Sequence, residues 1–248
     1  IAGATIGDNL TLLTGAALGI SDAGTVTVTG DLTATTDANS GVITLDDLAV
    51  TGAISVNTHG TGTVSVENAS GLTFAASVVG GSLTAIATTG DIADTGALEI
   101  QGATVLQTTV DGRNIILDEA AEFSSHVTYR SKADGSGSFG NIAFRDTSGV
   151  KIDSNADEAG DFFLDSAAPG TIGGTLAVIA TTGTITQNVA LVVTSTSAFT
   201  TTANNQLITL DNSSNSFGDA VSVTTNGTAG NVEVDGGAAT LDMGASSV

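Results

Sequence analysis

Short runs of strictly alternating side chains recur along this chain, among them "TVTVTG", "VITLDD", "AISVNT", "TVSVEN", "LAVIAT", "LITLDN", "AVSVTT" and "NVEVDG". Each alternates apolar and polar or small residues with a period of two, which in a strand sends one set to each face. They follow one another every 8 to 12 residues, separated by Gly, Asn, Asp and Ser, the spacing of an all-β sandwich, barrel or solenoid. A single Pro and many Thr and Val favour strands over long helices, so nearly pure β-structure is expected.

Self-similarity decides between these architectures. "GGSLTAIATTGDI" at Gly80 to Ile92 matches "GGTLAVIATTGTI" at Gly173 to Ile185 at nine of thirteen positions, 93 residues apart. The same shift lays "NIILD" at Asn114 over "LITLD" at Leu207, and a shift of 165 lays "TATTDANSGVITLDD" from Thr33 over "AFTTTANNQLITLDN" from Ala198. The chain divides into imperfect copies at about 1–79, 80–172 and 173–248, with a divergent stretch at 121–168. Only 4% of the residues are aromatic, whereas a sandwich of this length would hold several bulky rings; a coiled parallel sheet, stacking like on like, fills a narrow interior with Val, Ile, Leu and Ala. Three strands per coil of about twenty residues predict one continuous β-solenoid of roughly twelve coils, with stacked β-sandwich repeats as the alternative.

The phrases "GGTLAVIATTGTITQ", "ALVVTSTSAFTT" and "LITLDNSSNSFGDAVSVTTN" resemble the degenerate strand repeats of very large bacterial surface and secreted proteins of the filamentous-haemagglutinin type. That resemblance implies a right-handed parallel β-helix forming an adhesin shaft, extracellular fibre or cell-surface layer. No enzyme is expected, with a polysaccharide lyase or hydrolase as the less favoured alternative. Neither "IAGAT" nor "GASSV" reads as a cap, so continuation in a longer chain or end-to-end self-association is expected.

Charge excludes several classes of partner. Against 26 acidic residues stand 5 basic ones, a net of −21, which is wrong for nucleic acid and for anionic membranes. No run of about eighteen apolar residues occurs, so no membrane insertion is expected. With no Cys there is neither disulfide nor thiolate chemistry.

All five cations, Arg113, Arg130, Lys132, Arg145 and Lys151, fall between positions 113 and 151, and five of the nine aromatics fall between 123 and 162. Two readings fit this band: wider coils whose cations neutralise neighbouring carboxylates, or a glycan- or matrix-binding patch made of Tyr129, Arg130, Lys132, Phe144, Arg145 and Lys151, since Tyr, Phe and Arg are favoured at recognition sites. "DSNADEAGDFFLD" at Asp153 to Asp165 is the only dense acidic stretch. Its spacing matches neither a polysaccharide lyase or hydrolase nor a calcium loop, and it reads as a solvated turn. Thr-x-Thr pairs, as in "TVTVT", raise ice binding but recur at no fixed interval. No organic cofactor is expected. Calcium is the ion the acidic corners suit, with Asp46, Asp47, Asp118, Glu119 and Asp211 as ligands if the "LD" corners stack.

Overall fold

The computed structural model describes residues 1–15, 18–168 and 170–248, with the backbone alone at 38 and 39. Among the described residues there are 29 strands and no helix. Every strand pair is parallel, as when Leu83–Ala87 lies between Val64–Asn68 and Thr104–Thr108 in unbroken register. The fold is therefore a β-solenoid, and the facing antiparallel sheets of a sandwich are absent from the described residues. Two ladders run along it, one of 13 strands and one of 16.

The stack has about ten turns, fewer than the roughly twelve expected from twenty-residue coils. Hydrogen bonds between coils join residues 20 to 25 apart over most of the rod. Around position 150 the separation rises to 34 or 35. The extra residues there form an excursion rather than another turn.

Alternation does what the sequence pattern requires. Leu83, Ala85 and Ala87 point inward and Thr84 and Ile86 outward, and the inward residues of successive coils form one continuous column of buried Val, Ile, Leu and Ala. Burial of each Val, Leu or Ile contributes about 1.5–3 kcal/mol. The Gly-Gly opening of the repeated string has a steric cause. A Cβ on Gly81 would lie 2.5 Å from the Thr61 carbonyl oxygen, and one on Gly174 would lie 2.3 Å from Asn141 Oδ1, so neighbouring coils approach too closely at these corners for any side chain.

The two near-identical strings do not occupy the same side of the rod. Leu83–Ala87 belongs to the 13-stranded ladder, while its counterpart Leu176–Ala180 belongs to the 16-stranded one, between Phe139–Asp146 and Ser197–Asn204. Both show the same buried-outward alternation. Each side of the coil asks the same thing of a strand, so the local pattern encodes strand and corner but not which side.

A dislocation between the copies makes this rotation. Phe139–Asp146 covers Arg113–Leu117 from above and is itself covered by both Thr171–Ile172 and Leu176–Ala180. The chain then runs to Val150–Asp153 and doubles back. Asp161–Asp165 takes the place directly over Val127–Ser131, and Val150–Asp153 lies on top of it, so two strands stack in the reverse of their sequence order. The column Ser77–Val79, Leu98–Ile100, Ala121–Phe123 ends here. Its open edge is closed by turn residues: the Thr147 N–H donates to the Ala121 carbonyl at 2.8 Å, and the Phe123 N–H donates to the Asp146 carboxylate at 3.3 Å. An unpaired edge inside the rod is thus capped against pairing with another strand.

Candidate functional site

Four aromatic residues of the divergent stretch, Phe123, Tyr129, Phe144 and Phe162, fill the interior of this dislocation. Phe144 stacks on Phe162 with ring centroids 4.2 Å apart and on Phe123 at 5.6 Å, and Tyr129 meets Phe162 edge-on at 4.8 Å. Where the coil changes phase the cross-section is too wide for Ala and Val, and rings occupy the space. Tyr129 and Phe144 are buried, and the Tyr129 hydroxyl donates to the Ala143 carbonyl at 3.2 Å. Burial, and to a lesser degree the Asp94 charge, raise the Tyr129 pKa well above its usual value. These two aromatics cannot form an exposed binding patch. Alternation alone does not say which face of an irregular coil points inward, so the sequence left the binding patch open beside the reading of wider coils.

Three of the five cations are held by carboxylates. Arg130 Nε lies 2.6 Å from Asp165, on the neighbouring strand directly above it, and Lys132 Nζ lies 2.8 Å from Asp111. Lys151 Nζ reaches Asp153 at 2.5 Å, Asp161 at 3.2 Å and Glu158 at 3.6 Å. Arg145 donates from Nη1 to the Asp118 carbonyl at 3.4 Å. The band therefore matches the charge-neutralising reading in its geometry.

The acidic stretch is a solvated turn in its middle, where Asp157 and Glu158 are exposed, but not at its flanks. Asp153 and Asp161 are buried on the two reversed strands and face each other across Lys151. Asp161 Oδ2 also accepts the backbone N–H of Glu158 at 2.8 Å, which closes the loop of the excursion. Burial works against the Asp153 charge, but hydrogen bonds from Lys151, Asn188 and Ser154 outweigh it and hold its pKa below the usual carboxylate range. The same contacts, Asp153 first and Asp161 second, raise the Lys151 pKa. Lys151 thus ties down the reversed pair. Lys151→Gln is expected to free the segment 154–160, read as cleavage there on the order of tenfold faster in limited proteolysis while circular dichroism stays unchanged.

The acidic corners do not stack. Asp46 and Asp47 lie in a strand of the 13-stranded ladder and donate their backbone N–H groups to Asp22 at 3.3 and 3.0 Å. Asp118 and Glu119 follow Arg113–Leu117 in the other ladder and donate to Asp94 Oδ1 at 3.2 and 3.4 Å. Asp211 follows Ile208–Leu210, far along the first ladder. All five side chains are exposed, and among the described residues no group of three or more His, Asp or Glu could hold a metal ion. What the corners at Asp46–Asp47 and Asp118–Glu119 share is a carboxylate one coil below that accepts two successive N–H groups. Asp94 carries this role into the interior: it is buried, and its Oδ2 has no partner. Burial, opposed in part by the two N–H bonds, pushes its pKa up to about 6.

A groove of about 580 Å³ opens where the Ala121–Phe123 column ends. Its floor is Glu122 to Ser124, its upper side Thr147 to Gly149 with Thr182, and its lateral wall Ala159 and Gly160 of the excursion. Sequence reasoning missed it, because a concavity made by ending one column and reversing two strands has no local signature.

Comparison with known proteins gives one match. The family described as "Repeats of unknown function (DUF5649)" covers residues 61–129 and 155–224, together more than half of the chain. The chain belongs to this repeat family. The two DUF5649 matches leave 130–154 between them, the segment that holds the whole Phe139–Asp146 strand and the first strand of the reversal, Val150–Asp153. They also carry the two near-identical strings, so DUF5649 repeats keep their strand-and-corner pattern while sitting on different sides of one rod. No curated protein and no solved structure matches the chain.

Proposed function

We propose that this chain is a non-catalytic structural rod of the extracellular space, a length of β-solenoid that forms the shaft of a bacterial surface protein or stacks as the subunit of a fibre or surface layer. The observation that carries the reading is the continuity of parallel pairing. One ladder links Ala4–Ile6 to Val232–Val234 through twelve successive strands and passes through the dislocation without a gap. In such a stack each coil is supported by its neighbours, so stability is spread along the length. The resemblance of the repeats to those of large bacterial surface proteins supports the setting. The two buried carboxylates of the acidic stretch support the absence of catalysis, since Asp153 and Asp161 are held by Lys151 and by backbone N–H groups rather than presented to a groove.

Electron microscopy of the purified chain at rising concentration, together with antibody labelling of intact source cells, tests the proposal. Rods that join lengthwise, or that continue into a longer particle, and label at the cell surface are expected. Isolated globular particles confined to the cell interior would overturn it.

A further inference from the structure

We propose that the groove at the dislocation binds a short carbohydrate carrying protonated amines, an amino-sugar oligomer. The proposal goes beyond the structural reading and stands apart from it, since a rod that binds no sugar remains a rod.

The polar atoms of the groove are set up as acceptors. Ser124 Oγ gives its proton to Gln101 Oε1 at 3.0 Å, Ser148 Oγ to Asp146 Oδ2 at 2.7 Å, and Thr182 Oγ1 to the Thr147 carbonyl at 2.6 Å. Each hydroxyl has committed its one hydrogen to a protein acceptor, and what it leaves toward a ligand is an oxygen lone pair. Glu122 adds a carboxylate. It sits in register above Glu99, both are exposed, and neither forms an ion pair among the described residues. Two carboxylates stacked at the spacing of neighbouring strands, about 4.8 Å, repel each other, and a cation beside them relieves that repulsion.

Such a surface selects a ligand rich in donors, with hydroxyls for the three oxygens and an ammonium for Glu122. A polyanion is disfavoured by Glu122 and by the net charge of −21. An extended peptide adding itself as a strand is disfavoured because the edge of Ala121–Phe123 is already capped by Thr147 and Asp146. The volume is at the scale of small-ligand clefts. Gly149 and Gly160 line one side of the groove without side chains, where a sugar ring can approach the backbone.

The test is calorimetric titration of the full chain at pH 6 and low salt with β-linked glucosamine tetramer, its fully N-acetylated counterpart, and spermidine as a cation without a sugar frame. Binding of the glucosamine tetramer is expected, weakened on the order of fivefold or more by Glu122→Gln and abolished by Ala159→Trp, which fills the groove from an exposed position without removing a charge. Glu233→Gln, on the distant strand Val232–Val234, should leave it unchanged. The acetylated tetramer and spermidine should each bind more weakly. No binding of the glucosamine tetramer, equal binding of spermidine, equal binding of the acetylated tetramer, or binding indifferent to both groove variants would overturn the proposal. The last outcome would mean diffuse attraction to an acidic rod.

Discussion

Replacing Phe144 by alanine should destabilise the protein by about 3–5 kcal/mol, the usual cost of deleting a buried ring, and the loss should be local. Phe144 touches Phe123, Tyr129 and Phe162, which belong to three different strands of the dislocation. Leaving that space empty removes the packing that holds the phase change together, while the regular coils on either side keep their own columns of Val, Ile and Leu. In a solenoid with nearest-neighbour coupling a weak layer divides the rod into separately melting parts. Hydrogen exchange of Phe144→Ala is therefore expected to show lost protection from about residue 121 to 165 with protection kept at Val64–Asn68 and Leu83–Ala87. Uniform loss along the chain, or a change below about 1 kcal/mol, would show that the rings are not what supports the seam.

Asp94→Asn should have a large effect of the opposite sign. The carboxyl is buried, accepts two N–H bonds through Oδ1 and leaves Oδ2 unpartnered, and desolvation first, then Asp118 and Glu119, push its pKa up to about 6. Because the folded-state pKa lies above the unfolded one, the folded protein takes up the proton first as the pH falls. The Asp94 charge therefore costs stability above about pH 6, and that cost is relieved between about pH 6 and pH 4. A shift of about two pK units corresponds to roughly 3 kcal/mol at most. Asparagine keeps the acceptor and removes the charge, at the cost of an amide without a partner. Urea midpoints at pH 7.5 should rise for Asp94→Asn by the equivalent of about 1–3 kcal/mol, and the variant should lose most of the gain in stability that the parent shows on going from pH 7 to pH 5. Asp146, whose pKa burial also raises, keeps a smaller part of that gain. A variant less stable at every pH would contradict this account of Asp94.

The strands, their parallel stacking and the small-residue interior were legible because they rest on local rules. Alternation in "LTAIA" or "AISVN" decides which side chains face inward whatever the neighbouring coil holds. Register across coils was legible in part: the 165-residue shift pairs Leu32–Asn39 with Ser197–Asn204, and both lie in the same ladder. The 93-residue shift does not, because the excursion at 150–161 moves the later copy to another side, and nothing in either string records how many residues the detour takes. For the same reason the corners at Asp118 and Asp211, also 93 residues apart, looked stackable and are not; Asp46 and Asp118 both precede the excursion and lie in or just after strands of different ladders. The band of cations and aromatics was correctly singled out as different. Which of its two readings applies at Tyr129 and Phe144 was not legible, since in an irregular coil a ring faces inward or outward according to the width of the layer beneath it, which is a property of the stack and not of the strand. Asp94 gave no sign in sequence. One Asp in "DIADTG" looks like any other turn former until the next coil is laid over it.

The central claim is that one repeated string lies on two different sides of a single parallel stack, and the absence of native cysteine makes it directly measurable by cross-linking. Ala177 pairs with Ala143 on the neighbouring strand, whereas carrying over the pairing of Thr84 with Ser65 would place it beside Glu158. Under mild oxidation the double variant Ala143→Cys with Ala177→Cys should close a disulfide, because neighbouring parallel strands hold paired residues about 5 Å apart. Glu158→Cys with Ala177→Cys should stay reduced. Closure of the second pair and not the first would contradict the account.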